Sequence, residues 1–437
     1  MTYSIEAEAP SDGRFGLASA SSRMVRTMVR SRLNPPGRRP AGSPVPLTDY
    51  DPTAPSVLED PYPHYRRLLD GGPLHYMPRR NAWVISGFDA VRAALRTDQV
   101  LSSAEGVNEY RISVPMLLTS DRPEHTRLRA LVAGEFSRGG LERWQATIDE
   151  QCDEMIAAMV RRGRCDAVAD LADPLPIQVI MRMLDVPLGD RARFRDWSNR
   201  MVAIFNIRLS LGSLPTLLRS MGGSTKMFRY LGNLLAQRQS RPGDDVLSRL
   251  RDHAGAGGLS DDELVWFAVL LLVAGNETTT NLLGPLVRNL AVHPDQYALL
   301  RAEPELIPKA IDEQLRYQSP IQGLYRTALE DYEVADGLVI PAGGRVLVLY
   351  ASANRDPEHY PEPDEFRVDR QPTDHLAFGS GIHYCLGAFL SKLEARRALG
   401  ELVRQVERIE PDGPGRPGRT ALMHRAAHVP VRLVPSA

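Results

Sequence analysis

The ten residues Phe378-Gly379-Ser380-Gly381-Ile382-His383-Tyr384-Cys385-Leu386-Gly387 constrain this chain more than any other segment. Gly379 and Gly381 permit a sharp backbone path through positive φ. Cys385 follows, and a helical pattern starts near Leu386 and runs to about Val406. A thiol at a helix mouth meets unpaired N–H groups and the positive end of the dipole, and both favour the thiolate. A thiolate held in this way is a strong ligand for a soft or borderline metal. The alternative is a buried structural cysteine in a glycine-rich turn.

The other bulk features narrow the setting. Cys152, Cys165 and Cys385 are the three cysteines, too few and too scattered for a disulfide framework or a zinc ribbon. They suit a reducing cytoplasm, so each thiol is judged separately. With 53 basic and 54 acidic residues, nothing draws the whole chain to nucleic acid or an anionic membrane. The longest uncharged apolar run, Leu264 to Gly275, is 12 residues, a buried core helix rather than a membrane span. No secretory signal is expected. The reading is a soluble, cytoplasmic, monomeric protein without a transmembrane anchor.

Residues 1–46 are rich in Ser, Pro, Gly and Arg and are expected to be a disordered basic extension. A short basic helix at Arg23–Leu33, lying on a partner or membrane, is the alternative. Residues 47–437 carry no repeat and no linker, which points to one domain. Asp60 caps a helix through Leu69. Strands are expected at Leu74–Met77 and Asn81–Ser86, then a helix at Phe88–Leu95. From Glu124 to Leu315 the pattern is nearly all helical, strongest at Trp144–Val160, Pro176–Leu184, Met227–Arg238 and Asp261–Leu290. Strands return at Glu333–Ile340 and Arg345–Tyr350. The fold class is mainly α with small β-sheets (α+β).

Within the long apolar helix stands Ala274-Gly275-Asn276-Glu277-Thr278-Thr279-Thr280. The small residues remove bulk on one face, and the threonines can bond back one turn, loosening the ladder. An acid beside a hydroxyl makes a proton relay into an apolar chamber. A polar end to a buried helix is the bland alternative. Further on, Glu313 and Arg316 are three apart, a spacing repeated at Glu124/Arg127, Glu394/Arg397 and Glu401/Arg404, where it reads as helix-surface pairing. His125 and Arg129 share one helix face.

The cysteine segment resembles the haem-binding signature of the cytochrome P450 superfamily, soluble bacterial type, matching all six fixed positions of Phe-Gly-x-Gly-x-His-x-Cys-x-Gly. The resemblance runs from Leu47 to near the C-terminus. It implies a triangular helical prism enclosing haem b, with Cys385 as the axial ligand to iron, the electron-pushing arrangement that cleaves O–O bonds. It further implies that Phe378 packs against the sulfur and that Gly387 lets the helix approach the macrocycle. His125, Arg129, Arg326 and His383 become donors to the two propionates. Glu277 becomes the proton source, and Thr278 supplies a hydroxyl where dioxygen is activated. Glu313, Arg316 and Arg370 become a buried structural charge network. One departure is Leu390-Ser391-Lys392, where many bacterial members have Leu-Ala-Arg; Lys392 keeps the charge and loses the guanidinium fork.

By the same resemblance the chain is a monooxygenase that inserts one oxygen atom from O2 into a small apolar molecule, in bacterial secondary metabolism. No flavin or iron–sulfur unit and no dinucleotide loop is visible in the sequence, so electrons from NAD(P)H are expected through a separate ferredoxin and ferredoxin reductase. Arg127 and Lys392 are candidate docking charges. The pocket is expected to be lined by Leu101–Leu118, Met201–Met221, Leu270–Ala274 and Pro320–Tyr325. A peroxide-driven enzyme, a non-oxygenase haem-binding sensor or carrier, and a haem-free helical protein are the other readings.

Overall fold

Ser260 starts the longest helix, Asp261–Val292. Its hydroxyl accepts from the Glu263 N–H at 3.3 Å while the Glu263 carboxylate accepts from the Ser260 N–H at 2.7 Å, a reciprocal cap strengthened by Asp261 and Asp262 in the first turn. Leu264, Val265, Ala268, Leu272, Leu283 and Leu290 are all buried, so this helix runs through the core rather than lying on it. The helix is continuous to Val292, with Pro285 inside it. The fold is that of a computed structural model describing residues 37–202, 214–252, 258–418 and 420–436. Among these, no helix is long and apolar enough to cross a membrane.

Helix Pro174–Met183 packs on the long helix, and helix Gln145–Arg162 packs on the last one, Ala388–Gln405. One apolar cluster, with Ile148, Leu175, Val269, Ile311 and Leu399 fully buried or nearly so, joins these helices. Each such side chain contributes about 1.5–3 kcal/mol by leaving water.

A five-stranded sheet lies beside the helices, in the order Leu74–Met77, Ala82–Ile85, Arg345–Val348, Leu324–Ala328, Leu101–Ser102. The second and third strands run parallel and the other neighbours antiparallel. Its three first strands are buried at every residue, because both sheet faces carry apolar clusters. A three-stranded sheet joins Arg164–Asp166, Pro430–Pro435 and Val406–Pro411. The chain is thus mainly α with small sheets, as expected.

Several details depart from the sequence reading. Glu333–Ile340 is a tight hairpin of two short strands, Tyr332–Ala335 and Leu338–Ile340, turning at Gly337 with φ 72°. Arg345–Tyr350 ends as a strand at Val348, and a helical turn, Tyr350–Ala353, follows. Helix Leu214–Ser240 begins well before Met227. Asp60 does accept from the Tyr62 N–H, at 3.2 Å. Residues 1–36, including the Arg23–Leu33 segment, lie outside the described residues. Residues 37–46 pack on the sheet: Val45 is fully buried and the Trp83 indole donates to the Gly37 carbonyl at 3.1 Å.

Candidate active site

A cavity of about 450 Å³ lies between the long helix, the sheet and the cysteine loop, and Cys385 is in its wall. The loop folds as its glycines require: Gly379 has φ 70° and Gly381 φ 68°. A Cβ on Gly381 would also stand 2.4 Å from the Leu95 carbonyl oxygen, so no larger residue fits there. The Cys385 N–H donates to the Phe378 carbonyl at 2.9 Å, closing the loop under the sulfur. The regular helix begins at Ala388, two residues later than the pattern suggested. Burial pushes the Cys385 thiol up, against the N–H groups of Gly387 and Ala388 and the Arg129 guanidinium, which pull it down. A cation bound at sulfur would favour the ionised form.

Four basic side chains meet at this cavity. His125 and Arg129 come from helix Glu124–Val132, Arg326 from its strand, and His383 from the cysteine loop. The His125 and His383 rings meet edge to face with centroids 4.5 Å apart, and the Nε2 of each is buried without a hydrogen-bond partner. Arg129 and Arg326 spend one N–H each on backbone carbonyls, of Ile382 at 3.3 Å and Tyr325 at 2.9 Å. Burial and the neighbouring Arg326 push His383 down to about 3. A buried guanidinium such as that of Arg326 and orphaned imidazole nitrogens are costly unless a partner joins them. The set fits a flat cofactor bearing two carboxylates whose metal faces Cys385, which is the description of haem.

On the long helix, Ala274, Gly275, Thr278 and Thr279 line the cavity. The Thr278 hydroxyl donates back to the Ala274 carbonyl at 2.7 Å, and Thr280 to Asn276 at 3.0 Å, as the threonine run suggested. Gly275 also packs closely on the neighbouring helix, since a Cβ there would stand 2.4 Å from the Ile180 Cδ1, which would have to move. Glu277 is buried, and burial pushes its carboxyl up against the pull of Arg425, whose Nη1 is 3.7 Å from Oε2.

Glu313 and Arg316 are fully buried and paired, with Arg370 Nε at 3.3 Å from the same carboxylate. Arg316 also donates to the carbonyls of Asn354, Pro363 and Glu365, at 2.9–3.1 Å. Asn354 in turn accepts from the Leu376 N–H at 2.7 Å, which links the network to the start of the cysteine loop. Of the look-alike pairs, Glu124/Arg127 and Glu401/Arg404 are local ion pairs. Glu394/Arg397 is not: Glu394 is buried with Oε2 unpartnered and is pushed up to about 8, while Arg397 pairs with Asp149, Asp153 and Glu401.

Arg127 and Lys392 are already committed, Arg127 to Glu124 and Glu263 and Lys392 to Asp312 at 2.6 Å. Beside the cysteine it is Tyr384 and Phe389 that are exposed, at 41% and 58%, with Arg96 donating to Ser380 at 3.1 Å. The substrate wall takes Val107 and Ile112–Leu118, Leu270, Val273, Pro320 and Leu324 as expected, and Met201. Much of Met201–Met221 lies outside the described residues. Phe228, Leu422 and Met423 also line the cavity, and no local pattern marked them.

A family model described as Cytochrome P450 matches residues 72–417. The beta-dihydromenaquinone-9 omega-hydroxylase of Mycobacterium tuberculosis (strain ATCC 25618 / H37Rv) is 42% identical over 399 residues, spanning 91% of this chain and 80% of that protein. The cytochrome P450 monooxygenase PikC of Streptomyces venezuelae is 38% identical, over 82% of this chain and 87% of its own. Among solved structures, CYP109E1 from Bacillus megaterium in complex with testosterone superposes with a TM-score of 0.79 at 31% identity, covering 86% of this chain and 98% of that one.

Proposed function

Because this chain belongs to the cytochrome P450 family, an oxidoreductase family of haem monooxygenases, we propose that it carries haem b on Cys385 and oxidises an apolar substrate held against the long helix. The observation that carries this reading is Cys385 in the wall of a cavity where His125, Arg129, Arg326 and His383 converge, the two histidine Nε2 atoms having no hydrogen-bond partner among the described residues. Those four would hold the propionates, and Phe378 and Gly387 would shape the bed of the macrocycle. When bound, the haem supplies activation of O2, with the thiolate pushing electron density to the iron.

The chain's own residues do the rest. Val107, Leu270, Val273 and Leu324 exclude water and orient the substrate by apolar contact. Glu277 takes protons from the polar side of the helix, and the Thr278 hydroxyl moves them to the cavity at Oγ1. Glu313, Arg316 and Arg370 hold the segment leading into the cysteine loop. Electrons come from NAD(P)H through a ferredoxin and its reductase, whose docking site includes Tyr384 and Phe389. The reaction is hydroxylation or epoxidation, balanced as substrate, O2, two electrons and two protons giving the oxygenated product and water.

The apolar wall and the 42% identical relative both support a substrate with a long apolar portion. The test is titration of the purified, haem-loaded protein with polyprenyl quinones, fatty acids and steroids, read by the shift of the resting Soret band. A shift with at least one apolar class, followed by its conversion in the ferredoxin system, is expected. Equal conversion with hydrogen peroxide and no ferredoxin would favour a peroxide-driven enzyme instead.

A further inference from the structure

The cavity that holds Cys385 follows the long helix Asp261–Val292 for several turns. Trp266, Leu270, Val273, Ala274 and Thr278 all line it, and their spacing of three and four residues puts them on one face. Along this stripe the side chains shrink from an indole to a methyl before Thr278 is reached. From Trp266 to Thr278 the helix rises about 18 Å. The wall is long and apolar, bulky at one end and bare at the other.

The bulky end is also where the cavity stops along the helix. No residue of the long helix before Trp266 lines it, and Glu263, nearly one turn earlier, lines only a second, smaller cavity of about 20 Å³. The two cavities share Pro115, Met116, Leu117, Trp266 and Leu270, so these side chains stand between them. Trp266 meets Phe228 of helix Leu214–Ser240 edge to face, with ring centroids 4.4 Å apart, and Phe228 is itself buried. Two rigid rings locked in this geometry have little freedom to yield to a longer ligand. On the outer side of the smaller cavity, Glu263 is fixed by the Ser260 cap and by its ion pair with Arg127. Space opened by removing the indole would therefore persist instead of collapsing.

We propose that Trp266, braced by Phe228, is the end stop of the substrate cavity. It determines how long a hydrocarbon chain can lie along the helix with its other end at Thr278 and Cys385. The ligand class this fits is an extended apolar chain seated lengthwise. A compact ring system would occupy the bare end and leave the stop untouched. The inference rests on the reading of this cavity as the substrate site.

The test uses the haem-loaded full chain and straight-chain saturated fatty acids from octanoate to eicosanoate, titrated by the shift of the resting Soret band. In the parent, Kd should fall about fourfold for each added methylene and then level off once the chain reaches the stop. In Trp266→Ala the fall should continue at that rate for several further methylenes. Trp266→Phe, which keeps a ring, should move the break in the same direction by less. Naphthalene, as a compact ligand, should bind the parent and both variants equally, and the reduced carbon-monoxide spectrum should be the same in all three. A break at one chain length in the parent and both variants overturns the inference, and so does binding that ignores chain length. If neither chains nor naphthalene move the parent's Soret band, the substrate-site reading itself fails, and the two failures are told apart.

Discussion

Arg316 grips Glu313 through two hydrogen bonds, Nε to Oε2 at 2.7 Å and Nη2 to Oε1 at 2.9 Å, with neither side chain reaching solvent. Breaking such a pair from one side leaves a buried charge uncompensated, at about 3–5 kcal/mol. Glu313→Ala and Arg316→Ala should therefore each yield little folded, haem-loaded protein. Denaturant unfolding monitored with haem content checks this. A variant with the parent's midpoint and full haem would show that the pair is dispensable.

Thr278→Ala should leave haem binding and the reduced carbon-monoxide spectrum intact, because among the described residues the Thr278 hydroxyl bonds only to the Ala274 carbonyl of its own helix. Product per NADH should fall roughly 10- to 100-fold while NADH is still consumed. The diagnostic measurement is the ratio of product to hydrogen peroxide.

Glu394 sets a pH dependence of stability. Its carboxyl is pushed up to about 8 by burial alone, above an unfolded value near 4.5. A raised acid costs nothing below the unfolded pKa and destabilises progressively as pH climbs toward the folded one, on the order of 3 kcal/mol by pH 7. Glu394→Gln should then be more stable than the parent at pH 7–8 and about equal to it near pH 4.5. Melting curves across that range decide it, and a difference that does not vary with pH would contradict the assignment.

Phe389, 58% exposed beside the cysteine, is the apolar anchor expected under a docked ferredoxin. Phe389→Ala should raise the KM for ferredoxin several-fold, roughly the 1–2 kcal/mol of a buried aromatic contact, with the carbon-monoxide spectrum unchanged. Because Arg127 and Lys392 are neutralised within the chain, added salt should weaken turnover only mildly. A steep salt dependence with an unaltered KM in Phe389→Ala would place the docking energy elsewhere.

What was legible in the sequence was local. The glycines of the cysteine loop and the back-bonding threonines each depend on neighbours a few residues apart, and the structure has both. What was hidden depends on partners far along the chain. Arg425 meets Glu277 across 148 residues, and Gly275 packs against Ile180, a residue on another helix. Glu394 followed by Arg397 looks like a surface pair in sequence, yet the helix buries Glu394 against its neighbours and turns Arg397 toward Asp149 and Asp153. Spacing reports which residues share a face; it does not report what that face packs on.

The sulfur of Cys385 as the ligand behind the iron is tested most directly by Cys385→Ala, reconstituted with haem, reduced and exposed to carbon monoxide. The parent is expected to show the red-shifted Soret band of a thiolate-bound haem, and the variant to lose that band and the oxidation of substrate together. A variant that keeps both the band and the activity would contradict the account.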